Sequence, residues 1–406
     1  MHTNPLLSLK NVPGYLGMAV TVLLLGFATS FAMPYMSLFG VQKVGMSPLL
    51  LGVYLTVVAL SSITISTLLA RWSDRLPDRR PVVLTAIAAG TLGFVLLAFT
   101  TNYLAVLLIA AVCLGTGSAA FPQVFALSRA QAGAAGEQGM TALRSVFSLA
   151  WVVGPGIGAA LLAGLHFPGL FLATAACYVG AAIPVLRRMR APLPPATTSG
   201  EEVQASAPAT PPRPMHWVAL SFVLYGTAMN MGSAALPIHV TRGLHGSEGN
   251  VGFLVGLCAL LEIPIMLSFV LRARRASNEK LILWGMMLFA LYYVMVFVAP
   301  NIAWLAVAQA VRAVVVAILA TLGMAYVQEL MPDRVGVATT LYSNTMNAGS
   351  LLGGLGLGVC AGLFGYHAVF VLAGVLSLAA WGLLLATRRG LGARGTAEMV
   401  GVRAGD

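Results

Sequence analysis

The chain has 406 residues, 59% of them hydrophobic and 9% charged, with 44 glycines and a formal net charge of +11. An ordinary soluble domain carries about 25% charged residues, so a water-facing globule of this length is excluded. The basic residues sit in short clusters between apolar runs and form no stripe interleaved with aromatics, which sets aside nucleic acid as the partner. What remains is a polytopic membrane protein with the lipid bilayer as its solvent.

A helix needs about 20 residues to cross roughly 30 Å of hydrocarbon. Apolar runs of that length, divided at turn residues and charges, predict twelve spans over 14–40, 47–70, 81–100, 103–128, 140–165, 167–186, 215–241, 249–271, 280–299, 301–327, 336–364 and 366–387. The stretch before the first run has a single Lys and no small-residue cleavage site, so that run is read as a span and not a removed signal. Between spans 6 and 7, residues 191–214 are rich in Pro, Ala, Ser and Thr and too poor in large apolar residues to pack. They are expected to be a cytoplasmic linker joining six-helix bundles at 1–190 and 215–390, with 391–406 as a cytoplasmic tail.

Lys and Arg in short loops are retained on the cytoplasmic side. Of the 23 basic residues, 19 fall on one side, only Lys43 and Arg242 on the other, and Arg144 and Arg312 lie within spans. Both termini are therefore expected in the cytoplasm. The halves also echo each other. Thr141 to Gly158 matches Thr339 to Gly356 at Thr, Leu, Ser, Ala and the final Gly, offset by 198, and Ala32-Met-Pro34 answers Ala235-Leu-Pro237, offset by 203. Duplicated bundles are how secondary transporters place a site between moving bodies.

Twelve spans in two halves, a central linker and the basic loop Arg71-Trp-Ser-Asp74-Arg75-Leu-Pro-Asp78-Arg79-Arg80 resemble the major facilitator superfamily, although Ala70 stands where its signature usually has Gly. Phe121-Pro-Gln-Val-Phe-Ala-Leu-Ser-Arg129, Phe147-Ser-Leu-Ala-Trp-Val-Val-Gly-Pro155, Leu261-Glu-Ile-Pro264 and Gln328-Glu-Leu-Met-Pro-Asp-Arg334 followed by Ala338-Thr-Thr-Leu341 resemble, in that order, the sugar efflux transporter family. The resemblance implies an all-α membrane protein of the major facilitator fold, with two pseudo-symmetric six-helix bundles. It also implies export of mono- or disaccharides and related glycosides, in exchange for protons, across a cell inner membrane. Two positions depart from relatives: Ala235 precedes the span 7 proline where some carry an acid, and Arg312 stands where they carry an amide.

Of twelve acids, eleven lie in loops, tails or span ends, and Glu262 alone is deep. An ionised group at mid-bilayer costs roughly 2.5 kcal/mol or more, so it needs a partner or a task. Burial would favour its protonated form and a nearby cation its charged form, and it is expected to bind sugar hydroxyls, carry a proton, or both. Arg312 is its natural partner in charge. Arg144, a few residues inside span 5, can snorkel or meet the loop around Asp74, and Asp74, Arg75, Arg79, Arg80 and Arg144 are read as gating residues.

A sugar site combines directional hydrogen bonds with a flat apolar face. The candidates are Glu262, Gln123, Trp151, Asn230, Gln309, Asn344, Asn347, Tyr35 and Tyr54, each of which could instead be an interhelical bond or interfacial aromatic. His239, near the outer end of span 7, is more often an interfacial residue than a pH sensor. The glycines of 154–158 and 353–358 lie inside spans, without the strand and helix N-terminus that a phosphate cradle needs, so they are read as packing residues. No cofactor, metal or enzymatic activity is expected, and the protein is expected to be a monomer with a sugar and protons as its small partners. A multidrug exporter of the same superfamily and a non-transporting membrane receptor are the alternatives.

Overall fold

The computed structural model describes residues 15–132, 136–188, 215–271 and 277–403. The linker 191–214 lies outside these residues. The described residues are helical and contain no strand. In chain order the helices are α1 (Tyr15–Gln42), α2 (Pro48–Asp74), α3 (Arg80–Ala98) and α4 (Tyr103–Ser128). Next comes a continuous stretch over Gly136–Arg188 whose backbone breaks at His166 (φ 55°, ψ −170°), so it is two helices, α5 (136–165) and α6 (167–188). The second series is α7 (Met215–Gly243), α8 (Glu248–Leu271), α9 (Asn278–Phe297), α10 (Ile302–Glu329), α11 (Val335–Phe364) and α12 (Ala368–Arg403). These are the twelve spans expected from the apolar runs. The last helix runs on to Arg403, beyond the point near 387 where the apolar pattern stops.

Lipid forces each span to satisfy its own backbone, and only helix ends leave groups over. The caps follow from sequence: Ser47, Asn102, Ser277 and Asn301 accept from the backbone N–H three residues on, at 3.3, 3.1, 3.4 and 2.9 Å. Pro48 at the first turn of α2 needs no donor there. Gly365, at φ 83°, turns the chain between α11 and α12. A π turn over Ala110–Leu114 interrupts α4, which the apolar pattern could not reveal.

Packing groups the chain into two compact units, Met1–Gly200 with Leu236–Leu260, and Glu201–Ala235 with Leu261–Asp406. In the first, α1 lies on α5. Ser30 Oγ donates to Ala150 O at 3.0 Å and the Tyr35 hydroxyl to Pro155 O at 2.7 Å. A methyl added to Gly158 would stand 2.7 Å from Phe31 O. Gly252 and Gly256, at the start of α8, belong to the same unit, where added methyls would stand 2.6 Å from Pro155 O and 2.9 Å from Val152 O. Arg242 reaches Val41 O at 3.3 Å, and His239 is buried at 8% exposure.

In the second unit α7 lies on α11 through glycines. A methyl on Gly349 would be 2.8 Å from Gly226 Cα, and one on Gly353 would be 2.7 Å from Asn230 Cβ. Tyr293 of α9 donates its buried hydroxyl to Ala228 O of α7 at 2.6 Å. The matched segments of the two halves thus build the same kind of helix pair, α1 with α5 and α7 with α11. The glycines of 154–158 and 353–358 include positions at which one helix meets its neighbour.

The duplicated glycines Gly158 and Gly356 make a test of this packing. An added methyl at Gly158 meets backbone (Phe31 O at 2.7 Å and Cα at 3.1 Å), whereas at Gly356 it meets the thioether of Met231 at 3.0 Å. A flexible methionine can yield and a backbone cannot. Gly158→Ala is therefore expected to lower the thermal midpoint in detergent by the equivalent of about 1–3 kcal/mol. Gly356→Ala is expected to be tolerated, and equal losses at both would contradict the packing described.

Candidate functional site

The second unit holds the deep charges. Glu262 stands 14 residues after Glu248, the first residue of α8, about 21 Å along the helix at 1.5 Å per residue, and is half-buried. Arg312 is ten residues into α10, about 15 Å. Its guanidinium acts electrostatically on Glu262. It also donates Nη2 to Ser233 Oγ of α7 at 2.7 Å and lies 5.9 Å from the centroid of the Tyr292 ring of α9. Side chains of α7 and α9 thus meet a half-exposed guanidinium on α10, which acts electrostatically on the carboxyl of α8. A guanidinium over an aromatic face is stabilised by about 0.5–2 kcal/mol, and the serine oxygen adds a hydrogen bond to a charged group, about 1.5–3 kcal/mol.

Gln309 is one turn before Arg312 on the same helix face. It is 0% exposed, and among the described residues neither end of its amide has a hydrogen-bond partner. Leaving such a group unsatisfied costs about 1–3 kcal/mol, so the site has capacity for a polar visitor. Asn230 is exposed and donates Nδ2 to Gly226 O of its own helix at 2.8 Å. Asn344 and Asn347 lie on one face of α11, about half a turn from Gly349 and Gly353. The α11 glycines take the α7 contact, while Asn344 is exposed and Asn347 half-buried.

In the first unit, Gln123 of α4 is 4% exposed with its Oε1 unpartnered among the described residues, and the indole Nε1 of Trp151 on α5 is likewise buried and unpartnered. Trp151 continues an aromatic row: its ring centroid is 6.4 Å from Phe147, Phe147 is 4.1 Å from Phe121, and Phe121 is 4.5 Å from Phe125. Amide, indole N–H and flat rings are the groups that bind a sugar's hydroxyls and its apolar face. Tyr54 of α2 is 1% exposed with its hydroxyl unpartnered, while the Tyr35 hydroxyl is already committed to Pro155 O.

The loop after α2 forms local pairs. Arg79 Nη2 lies 2.7 Å from Asp74 Oδ1, with side-chain exposures of 33% and 62%. The Arg80 backbone N–H donates to Asp78 Oδ1 at 2.9 Å, and Arg80 Nε lies 3.7 Å from the same oxygen. Arg75 is exposed and caps α2 through its backbone, donating to Ser73 O and Trp72 O. Arg144 is exposed on α5. The accessible Asp74–Arg79 pair contributes about 0–1 kcal/mol to stability.

Sequence reasoning named Glu262, Arg312 and Gln309 but passed over Ser233 and Tyr292. Ser233 had a signal, since it is three residues after Asn230 and so shares its helix face. Tyr292 had none, because a tyrosine within an apolar run reads as core.

The sequence matches the family model of the Major Facilitator Superfamily over residues 18–269 and 218–399. It is 50% identical to a Deinococcus radiodurans protein that bears the name of a sugar efflux transporter, over 93% of this chain and 99% of that one. It is 32% identical to sugar efflux transporter B of Salmonella typhimurium, over 89% and 92% of the respective chains. In three dimensions it resembles the crystal structure of the nucleoside transporter NupG with a TM-score of 0.79 at 13% identity, covering 92% of this chain and 99% of that one. The chain is a multi-pass membrane protein and belongs to the sugar efflux transporter family of the major facilitator superfamily.

Proposed function

We propose that the protein exports mono- or disaccharides and related glycosides across a cell inner membrane by alternating access, in exchange for protons, as a monomer with both termini and the linker in the cytoplasm. The names of its relatives supply the substrate class and direction. The observation that supports it in this chain is that each unit, among the described residues, buries polar groups without hydrogen-bond partners: the whole Gln309 amide in the second, and Gln123 Oε1, Trp151 Nε1 and the Tyr54 hydroxyl in the first. An apolar interior keeps such groups only at a free-energy penalty. In either unit such groups suit a ligand rich in hydroxyls and not a purely apolar one.

Glu262 supplies the proton-binding group, and the Arg312 guanidinium acts on it electrostatically. Asn230, Asn344, Asn347 and Tyr35 are kept as further candidate contacts, and Asp74, Arg75, Arg79, Arg80 and Arg144 as candidate gate residues. The test is counterflow of a panel of labelled mono- and disaccharides in proteoliposomes, with and without an imposed pH difference. Accumulation of at least one sugar that responds to the pH difference is expected. Flux of a cationic dye with none of any sugar would replace this function with drug export.

A further inference from the structure

We propose that the second unit takes a sugar bearing a carboxylate, a sugar acid, and that Arg312 binds the carboxylate and so sets the substrate class. The proposal rests on the sugar-export reading given above and narrows it. Arg312 sits ten residues into α10 and is half-exposed. Asn230 and Ser233, three residues apart on one face of α7, are exposed as well. A guanidinium bared to hydrocarbon at that depth is strongly disfavoured, so its accessible side faces water or a solute.

The group is also held still. Arginine carries five donors in a rigid planar fork, which matches the two oxygens of a carboxylate. Ser233 Oγ accepts from Arg312 Nη2 at 2.7 Å, and the Tyr292 ring centroid lies 5.9 Å from the guanidinium carbon. One bond and one ring face fix the plane of the fork before a ligand arrives, which lowers the ordering cost of binding. One turn back on the same helix face, the buried Gln309 amide has neither end partnered among the described residues, so hydrogen-bonding capacity for hydroxyls stands next to the charge. The number of charges selects the anion. Residues 215–235, 261–271 and 281–387, which hold the spans of this unit, contain two Lys or Arg residues, Arg312 and Arg334, and Arg334 stands at the start of α11. A single deep cation matches the single charge of a carboxylate better than the nearly double charge of a phosphate monoester. Glu262 of α8 opposes a ligand anion while it is ionised, and the net effect is what a binding ratio measures.

The test is calorimetric binding to the purified full chain of glucose, galactose and mannose, their uronic acids, the methyl esters of those acids and their 6-phosphates. The ester keeps the shape of the acid and removes its charge. At least one uronate is expected to bind about tenfold or more tightly than its own ester, and more tightly than the matching phosphate. Arg312→Gln is expected to bring the acid-to-ester ratio close to one, Arg312→Lys to keep part of the preference through charge without the fork, and Ser233→Ala to lower the ratio although Arg312 is present. Equal binding of acid and ester, with a neutral sugar bound, overturns the inference and leaves sugar export standing. A phosphate that binds more tightly than the uronate overturns the carboxylate class, and an acid preference that survives Arg312→Gln overturns the role of Arg312. Binding of none of these compounds overturns the sugar reading and this inference with it. Should Arg312→Gln fail to fold, an undiminished ratio in both Arg312→Lys and Ser233→Ala overturns the proposal.

Discussion

Glu262→Gln is expected to abolish uphill sugar transport driven by a pH difference while leaving sugar exchange at equal pH intact. Glutamine keeps the size and hydrogen-bonding capacity of the protonated acid but can neither release nor take up a proton. Uphill flux should fall at least tenfold, the equivalent of about 1.4 kcal/mol, and the pH dependence of the residual exchange should flatten. The carboxyl stands about 21 Å along α8, within electrostatic reach of Arg312, where a group without a task would be removed at a gain. The measurement is counterflow and gradient-driven uptake of one labelled sugar by parent and variant in the same liposomes. A variant that still concentrates sugar against its gradient in response to pH would remove Glu262 from the coupling role.

Gly349→Ala is the second substitution with a large expected effect, this time on stability. The added methyl would lie 2.8 Å from both Gly226 C and Gly226 Cα and 2.9 Å from Thr227 N. All three are backbone atoms of α7, so no side chain can swing away. Relief would require separating α7 from α11, and the loss is expected to be about 1–3 kcal/mol, the range for overpacking. Gly362 on the same helix has nothing within 4 Å of an added methyl. There the ordinary helix preference for alanine acts alone, and Gly362→Ala is expected to stabilise by roughly 0.5–1 kcal/mol. Thermal unfolding of both variants in one detergent checks the pair. A Gly349→Ala protein as stable as Gly362→Ala would mean that the close α7–α11 approach is wrong.

The two substitutions also show how legible the chain was. Glu262 was visible because a carboxylate in an apolar run is rare whatever surrounds it. Gly349 was visible only as one glycine among 44, and nothing in its neighbourhood said that Gly226 would face it. Asn344 and Asn347 were correctly placed on a common face by their spacing of three. Which way that face turns was set by the glycines packed on α7, about half a turn round α11. Tyr35 and Tyr54 looked alike in sequence. The first spends its hydroxyl on Pro155 O, and the second leaves its own unpartnered among the described residues.

The order of apolar runs, the caps at Ser47, Asn102, Ser277 and Asn301, and the deep charges at Glu262 and Arg312 follow from local chemistry. Lipid admits only helices whose length and hydropathy match its thickness, and those quantities are written residue by residue. The Arg312–Ser233 bond, the ring of Tyr292 beneath the guanidinium and the Gln309 amide, unpartnered among the described residues, belong to the tertiary structure alone. They depend on how helices distant in sequence are rotated against one another. That rotation is decided by close contacts such as Gly226 with Gly349 and Gly232 with Tyr293, which no periodicity within a single helix records.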